Sequence, residues 1–115
     1  MFEYRARILR VIDGDTVEAD LELGFNVSLR TTLRLAGIDT PEVRGPEQQQ
    51  GRAATAYLKL LLDKLAGPEH EVTVRTQKDR AGKYGRYLAD LMVGSRNLNE
   101  AMVLAGHARR LEESR

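Results

Sequence analysis

The stretch Leu33-Arg34-Leu35-Ala36-Gly37-Ile38-Asp39-Thr40-Pro41-Glu42 holds an arginine and two acids close together. Leu33 and Leu35 would share one face of a strand and Arg34 the other, and the turn that follows displays both carboxylates. A second acidic pair flanks Gly14 in Ile12-Asp13-Gly14-Asp15-Thr16-Val17. A third piece, Lys83-Tyr84-Gly85-Arg86-Tyr87, lies in the most basic part of the chain, where Arg75, Lys78, Arg80, Lys83 and Arg86 face only Asp79. Carboxylates with a backbone carbonyl suit a hard divalent cation. Guanidinium groups suit phosphate, because the planar fork donates two hydrogen bonds and keeps its charge. Carboxylates for a metal, combined with arginines, are the equipment of phosphoryl transfer. Singly, each residue has a plainer reading: an aspartate capping a turn, an arginine on a surface. Jointly, Asp13, Asp15, Asp39 and Glu42 are candidates for one acidic cluster, which without a cation would repel itself.

Strands must bring these pieces together. Tyr4 to Ile12 suits a strand by its content of Ile8, Leu9, Val11 and Ile12. Asp13-Gly14-Asp15 is a turn signal, glycine accepting positive φ and aspartate capping its own backbone. From Thr16 to Leu23, apolar Val17, Ala19, Leu21 and Leu23 alternate with acids, and from Val27 to Leu35 a third strand alternates in the same way. A meander of three antiparallel strands is expected, with Asp15 opening the second strand and Asp39 ending the third. Gly45-Pro46-Glu47 reads as a helix start, and the helix should run to Leu65, burying Ala54, Tyr57, Leu58, Leu61 and Leu65. Val72 and Val74 mark a fourth strand, and Leu88, Leu91 and Val93 a fifth. Asn97 with Glu100 signals a short C-terminal helix, with Leu98, Ala101, Met102 and Ala105 inward and Gly106 at its end. The fold class is therefore α+β, mainly β: a five-stranded OB-fold Greek-key barrel with a helix between strands three and four.

One domain spans 1–115, large enough for a single core but not two. Hydrophobic content of 42% and charged content of 30% are ordinary for a globular protein. The net charge of +1 conceals the basic cluster and identifies no partner. The absence of cysteine excludes disulfides, thiolate chemistry and cysteine-held zinc. No apolar run approaches the ~20 residues of a membrane span, so no membrane partner is expected. No apolar h-region follows Met1; the expected location is the cytoplasm if Met1 is the native start, and secretion only if a leader has been trimmed. A monomer is expected.

The series IDGDTV, LRLAGIDTPE, KYGR and LNEAMVLAGHA resembles the thermonuclease family, whose type member is staphylococcal nuclease. The resemblance runs from about Arg7 to Arg109, with the motifs in family order. It implies an OB-fold endonuclease that hydrolyses DNA and RNA with calcium and little sequence specificity. It further implies that Asp15 and Asp39 bind Ca²⁺ through their side chains and Thr40 through its carbonyl, with Asp13 behind them through water. Glu42 matches the general base, Arg34 and Arg86 the arginines that clasp the scissile phosphate, and Lys83 and Tyr84 the nucleotide contacts. Where the family places an aromatic against the nucleotide, this chain reads Arg109-Arg110-Leu111-Glu112-Glu113, so weaker nucleotide binding is expected.

Two other functions compete. A catalytically weak or inactive nuclease-like module would bind nucleic acid or protein, but such domains typically lose the acids or arginines, and here Asp15, Arg34, Asp39, Glu42 and Arg86 are all present. A single-strand-binding OB domain would rely on aromatic platforms, and only Tyr84 and Tyr87 lie near the basic stretch. His70 and His107 lack ligand-like spacing and are read as structural.

Overall fold

A computed structural model describes residues 2–81 and 87–111, with side chains described in 2–76 and 87–111. Three antiparallel strands open the chain: β1 (Phe2–Asp13), β2 (Thr16–Gly24) and β3 (Val27–Leu35). After the two-residue β4 (Ile38–Asp39), a 3-10 turn at Gly45–Glu47 leads into α1 (Gln48–Leu65). Then follow β5 (Glu71–Ala81), β6 (Tyr87–Val93), β7 (Arg96–Asn97), α2 (Leu98–Leu104) and β8 (Arg109–Arg110).

The sheet order β3-β2-β1-β5-β6-β7 closes into a five-stranded barrel when β3 pairs with β6 in parallel, Leu33–Leu35 against Tyr87–Ala89. β1 changes register between Ile8 and Arg10 and again between Val11 and Asp13. Such irregularities bend a strand and increase its twist, which a closed sheet requires. The inward residues Val17, Ala19, Leu33, Leu35, Val74 and Leu91 meet Leu58 and Leu62 of α1 and Leu98 and Met102 of α2, all fully buried. Each of the valine, leucine and methionine side chains among them contributes about 1.5–3 kcal/mol relative to exposure. The expected barrel, its inserted helix and its short C-terminal helix are all present.

Details differ from the sequence reading. Gly14 has no positive φ; its lack of a side chain serves close packing, since a Cβ there would lie 2.8 Å from Ala54 Cβ and 3.0 Å from the Thr40 side chain. The third strand stops at Leu35 rather than Asp39. Gly37, at φ 76°, turns the chain, and Asp39 belongs to β4, which pairs with β8. The buried stripe of α1 is Gly51, Ala54, Leu58, Leu61 and Leu62, with Tyr57 and Leu65 half-buried beside it. Ala105 is exposed because α2 already ends at Leu104, and the chain leaves it through Gly106 at φ 83°.

Candidate active site

The turn between β1 and β2 sets Asp15. Asp13 Oδ1 accepts a hydrogen bond from the Asp15 amide at 3.1 Å, the local closure that favours aspartate in turns. Asp15 is only 7% exposed. Its Oδ2 accepts from Arg34 Nη2 and from the Thr40 amide, each at 3.1 Å, and its Oδ1 accepts from the Thr16 hydroxyl at 3.0 Å. Arg34 reaches it because β2 and β3 pair Thr16 with Arg34. The same Nη2 donates to Asp39 Oδ1 at 3.2 Å and to the Ile38 carbonyl at 3.3 Å. One guanidinium nitrogen thus stands between a carboxylate of the β1–β2 turn and one of β4.

The electrostatics follow from this geometry. Burial raises the Asp13 carboxyl, as do its hydrogen bond to Asp15 and that neighbour's charge, and together they push it up to about 6. Burial also acts to raise Asp15. Hydrogen bonding with Asp13, the Arg34 charge, the Thr40 amide and the Thr16 hydroxyl outweigh it, and Asp15 lies below its ordinary value. Asp15 is the carboxylate that stays ionised, while Asp13 holds its proton more tightly.

Asp15, Asp39, Thr40 and Arg34 therefore come together, with Asp13 behind Asp15. Glu42 is near in sequence, but its exposed side chain has no hydrogen bond or ion pair among the described residues. The expected four-acid convergence is thus not formed: among the described residues no three acidic or histidine side chains gather as a metal-holding group. Arg34 pairs with both aspartates and supplies positive charge between them. Arg86, Lys83 and Tyr84 lie outside the described residues.

Two residues escaped the sequence reading. Arg109 Nη2 donates to Asp39 Oδ2 at 3.3 Å, and its backbone pairs with Asp39 in the β4–β8 ladder. With the partners 70 positions apart, no local pattern announces the contact. Asn99 is buried, and its Nδ2 donates to the carbonyls of Ala36 and Ala89 at 3.0 Å and to Asp90 Oδ1 at 3.1 Å. Its Oδ1 accepts from the Leu91 amide at 3.2 Å. A polar residue beside Leu98 at the start of an apolar helix was the available signal. His70 and His107 are structural in their contacts: His70 Nε2 lies 2.6 Å from Asp63 Oδ1, and His107 stacks against Tyr57 at 4.7 Å.

A closed five-stranded barrel with one helix inserted after its third long strand and a short helix near its end is an OB-like α+β fold. Comparison with known proteins agrees. The family described as staphylococcal nuclease homologue matches residues 32–115. The thermonucleases of Staphylococcus hyicus and Staphylococcus intermedius are each 32% identical, over 93% and 89% of this chain. The endonuclease YhcR of Bacillus subtilis (strain 168) is 30% identical over 92% of it. The chain belongs to the staphylococcal nuclease family. It spans 59% and 56% of the lengths of the two thermonucleases and 9% of YhcR.

Proposed function

We propose that this chain is an endonuclease that hydrolyses phosphodiester bonds of DNA or RNA with a divalent cation, calcium being the first expectation. The observation that carries this is the Arg34 nitrogen shared between Asp15 and Asp39, with the Thr40 amide on the same Asp15 oxygen. The donor set fits a hard cation. Asp15, Asp39 and the Thr40 carbonyl offer only oxygen, and Asp15 Oδ1 and Asp39 Oδ2 are held by donors that can move, a hydroxyl and the exposed Arg109. Two side-chain carboxylates give a weak site. A bound cation would supply neutralisation of the phosphate charge.

This chain's own residues account for the remainder. Among the described residues only Nη2 of Arg34 is engaged, so its Nε and Nη1 are left to donate to phosphate oxygens. That stabilisation grows as charge accumulates on the pentacoordinate species. Arg86 is assigned the second phosphate contact, and Lys83 and Tyr84 the nucleotide. Glu42, exposed and unpartnered among the described residues, is available to take a proton from water as its oxygen attacks phosphorus and a P–O ester bond breaks. Phosphate contacts carry no sequence information, so cleavage should be unselective.

Incubation with plasmid DNA and with RNA, in each divalent cation and in excess chelator, tests the proposal. Cleavage that chelator abolishes and calcium restores is expected. Full cleavage in chelator would remove the metal, and binding without cleavage would assign the chain to the inactive-module reading.

A further inference from the structure

Glu42 poses a problem of placement. A general base must be held within hydrogen-bond reach of its water, yet the Glu42 side chain has no partner among the described residues. Among the described residues, what holds Glu42 is its backbone. That backbone rests on Gly51, in the first turns of α1. A Cβ at position 51 would lie 2.1 Å from the Glu42 carbonyl oxygen, 2.4 Å from the carbonyl carbon and 2.8 Å from the Val43 nitrogen. These obstacles are main chain, so no side-chain rotation relieves them. Gly51 has no positive φ, so conformational freedom does not explain the glycine. Only the close approach does.

The next inward residue of the same helix, Ala54, receives the other acidic turn. Gly14, between Asp13 and Asp15, leaves room for no Cβ against Ala54 and Thr40. Gly51 and Ala54 are three apart and share a helix face. One rigid helix therefore carries the Glu42 segment and the Asp13–Asp15 turn side by side.

We propose that Gly51 is a positioning residue for Glu42: the bare helix surface at position 51 sets the distance between the base and the Asp15–Arg34–Asp39 group. This rests on the nuclease reading of Glu42 given above. A methyl group at 51 would push the Glu42 carbonyl back by about 1 Å, and a displacement of that size costs on the order of 10²-fold in rate.

The experiment is a double-mutant cycle on the full chain with plasmid DNA and calcium. Gly51→Ala is expected to lower kcat about 100-fold with little change in KM. Added to Glu42→Gln, it should cause no further loss, because the residue it displaces is already disabled. The control Ala53→Gly, exposed on the same helix turn, should leave kcat unchanged. A Gly51→Ala enzyme with wild-type kcat, or losses that multiply with Glu42→Gln, would overturn the proposal. If Gly51→Ala does not fold, Val43→Gly frees the same backbone without adding atoms, and its loss of kcat must likewise vanish in Glu42→Gln. Inactivity of the wild-type chain would overturn the nuclease reading and this proposal's catalytic consequence with it. The contact itself is then read from metal-free amide spectra, where Gly51→Ala must shift Glu42 and Val43 and leave the β1–β5 ladder in place; unshifted signals overturn the contact too.

Discussion

Arg34 holds two acids with a single nitrogen, and this makes its removal costly in two separate ways. The Asp15 side chain is 9% exposed and that of Arg34 21%, so the pair is largely out of water. Breaking such a pair leaves a buried charge without its partner, at a cost of about 3 kcal/mol. Arg34→Ala should therefore lower the denaturation midpoint of the metal-free protein as well as abolish cleavage. Arg34→Lys keeps a charge but loses the planar donor array, so turnover should fall by orders of magnitude with a smaller stability loss. Chemical denaturation in chelator, run beside the cleavage assay, separates the two effects. A metal-free Arg34→Ala protein as stable as the parent would show that Arg34 does not neutralise the aspartates. Asp90 offers a test by pH. Burial raises its carboxyl above the ordinary value, against the Arg75 charge and a hydrogen bond from Asn97. The native state then binds this proton more tightly than the unfolded chain, so this group's contribution to stability falls as pH rises through the raised value. Asp90→Asn removes the titration and retains an oxygen for Asn99 to donate to. Its Tm relative to the parent should be higher at neutral pH, and the difference should shrink as pH falls through the raised value to the ordinary carboxylate range. A constant difference across that range would contradict the burial effect.

At the level of elements, the site depends on short pieces that join the barrel to its accessories. Asn99 is the clearest case, since one side chain connects α2 to β6 and to the Ala36 carbonyl in the turn between Arg34 and Asp39. Asn99→Ala would leave the Leu91 amide without its side-chain acceptor and remove three donated bonds. Each buried group left unsatisfied costs about 1–3 kcal/mol. A loss of about 3 kcal/mol by urea denaturation is expected, with cleavage surviving below the shifted midpoint. A loss under about 1 kcal/mol would show that water or repacking satisfies those groups. The long elements were legible from sequence because their signals are local and repeated: the alternation of Thr16–Leu23, the punctuation at Gly24, the Pro46 start, the Asn97 cap that accepts from the Glu100 amide at 3.1 Å. β4, β7 and β8 were not. Each is two residues long; β4 and β8 exist because each pairs with the other from far along the chain, and β7 is only the short return of a tight turn onto β6. The same distinction runs through the site. Asp13, Asp15, Arg34, Asp39, Thr40 and Glu42 stand in motifs, whereas Gly51 and Asn99 act through what α1 and α2 are pressed against. Even for Gly14, where glycine was noticed, the reason was close packing and not turn geometry.

For the whole molecule, a net charge of +1 gives no general attraction for nucleic acid. Affinity must come from local contacts to phosphate, so the logarithm of the binding constant should fall linearly with the logarithm of salt, with a slope of about −0.9 per phosphate neutralised on duplex DNA. Arg34→Ala should reduce that slope by about one, measured in chelator to prevent cleavage. An unchanged slope would mean that Arg34 does not meet a phosphate in the bound state. No helix among the described residues is long and apolar enough to cross a membrane.

The β4–β8 pairing has a consequence in time. Asp39 is held from one side by Arg34, made five residues before it, and from the other by Arg109, made 70 residues after it. The Leu111 amide, donating to the Gly37 carbonyl at 2.9 Å, fastens the same turn. A polypeptide still attached to the ribosome has Asp39 outside the exit tunnel long before Arg109 and Leu111 emerge from it. Folding during synthesis can then reach the early strands without reaching this last support. The set of contacts that holds Asp39 is therefore completed only after nearly all of this stretch of chain has emerged.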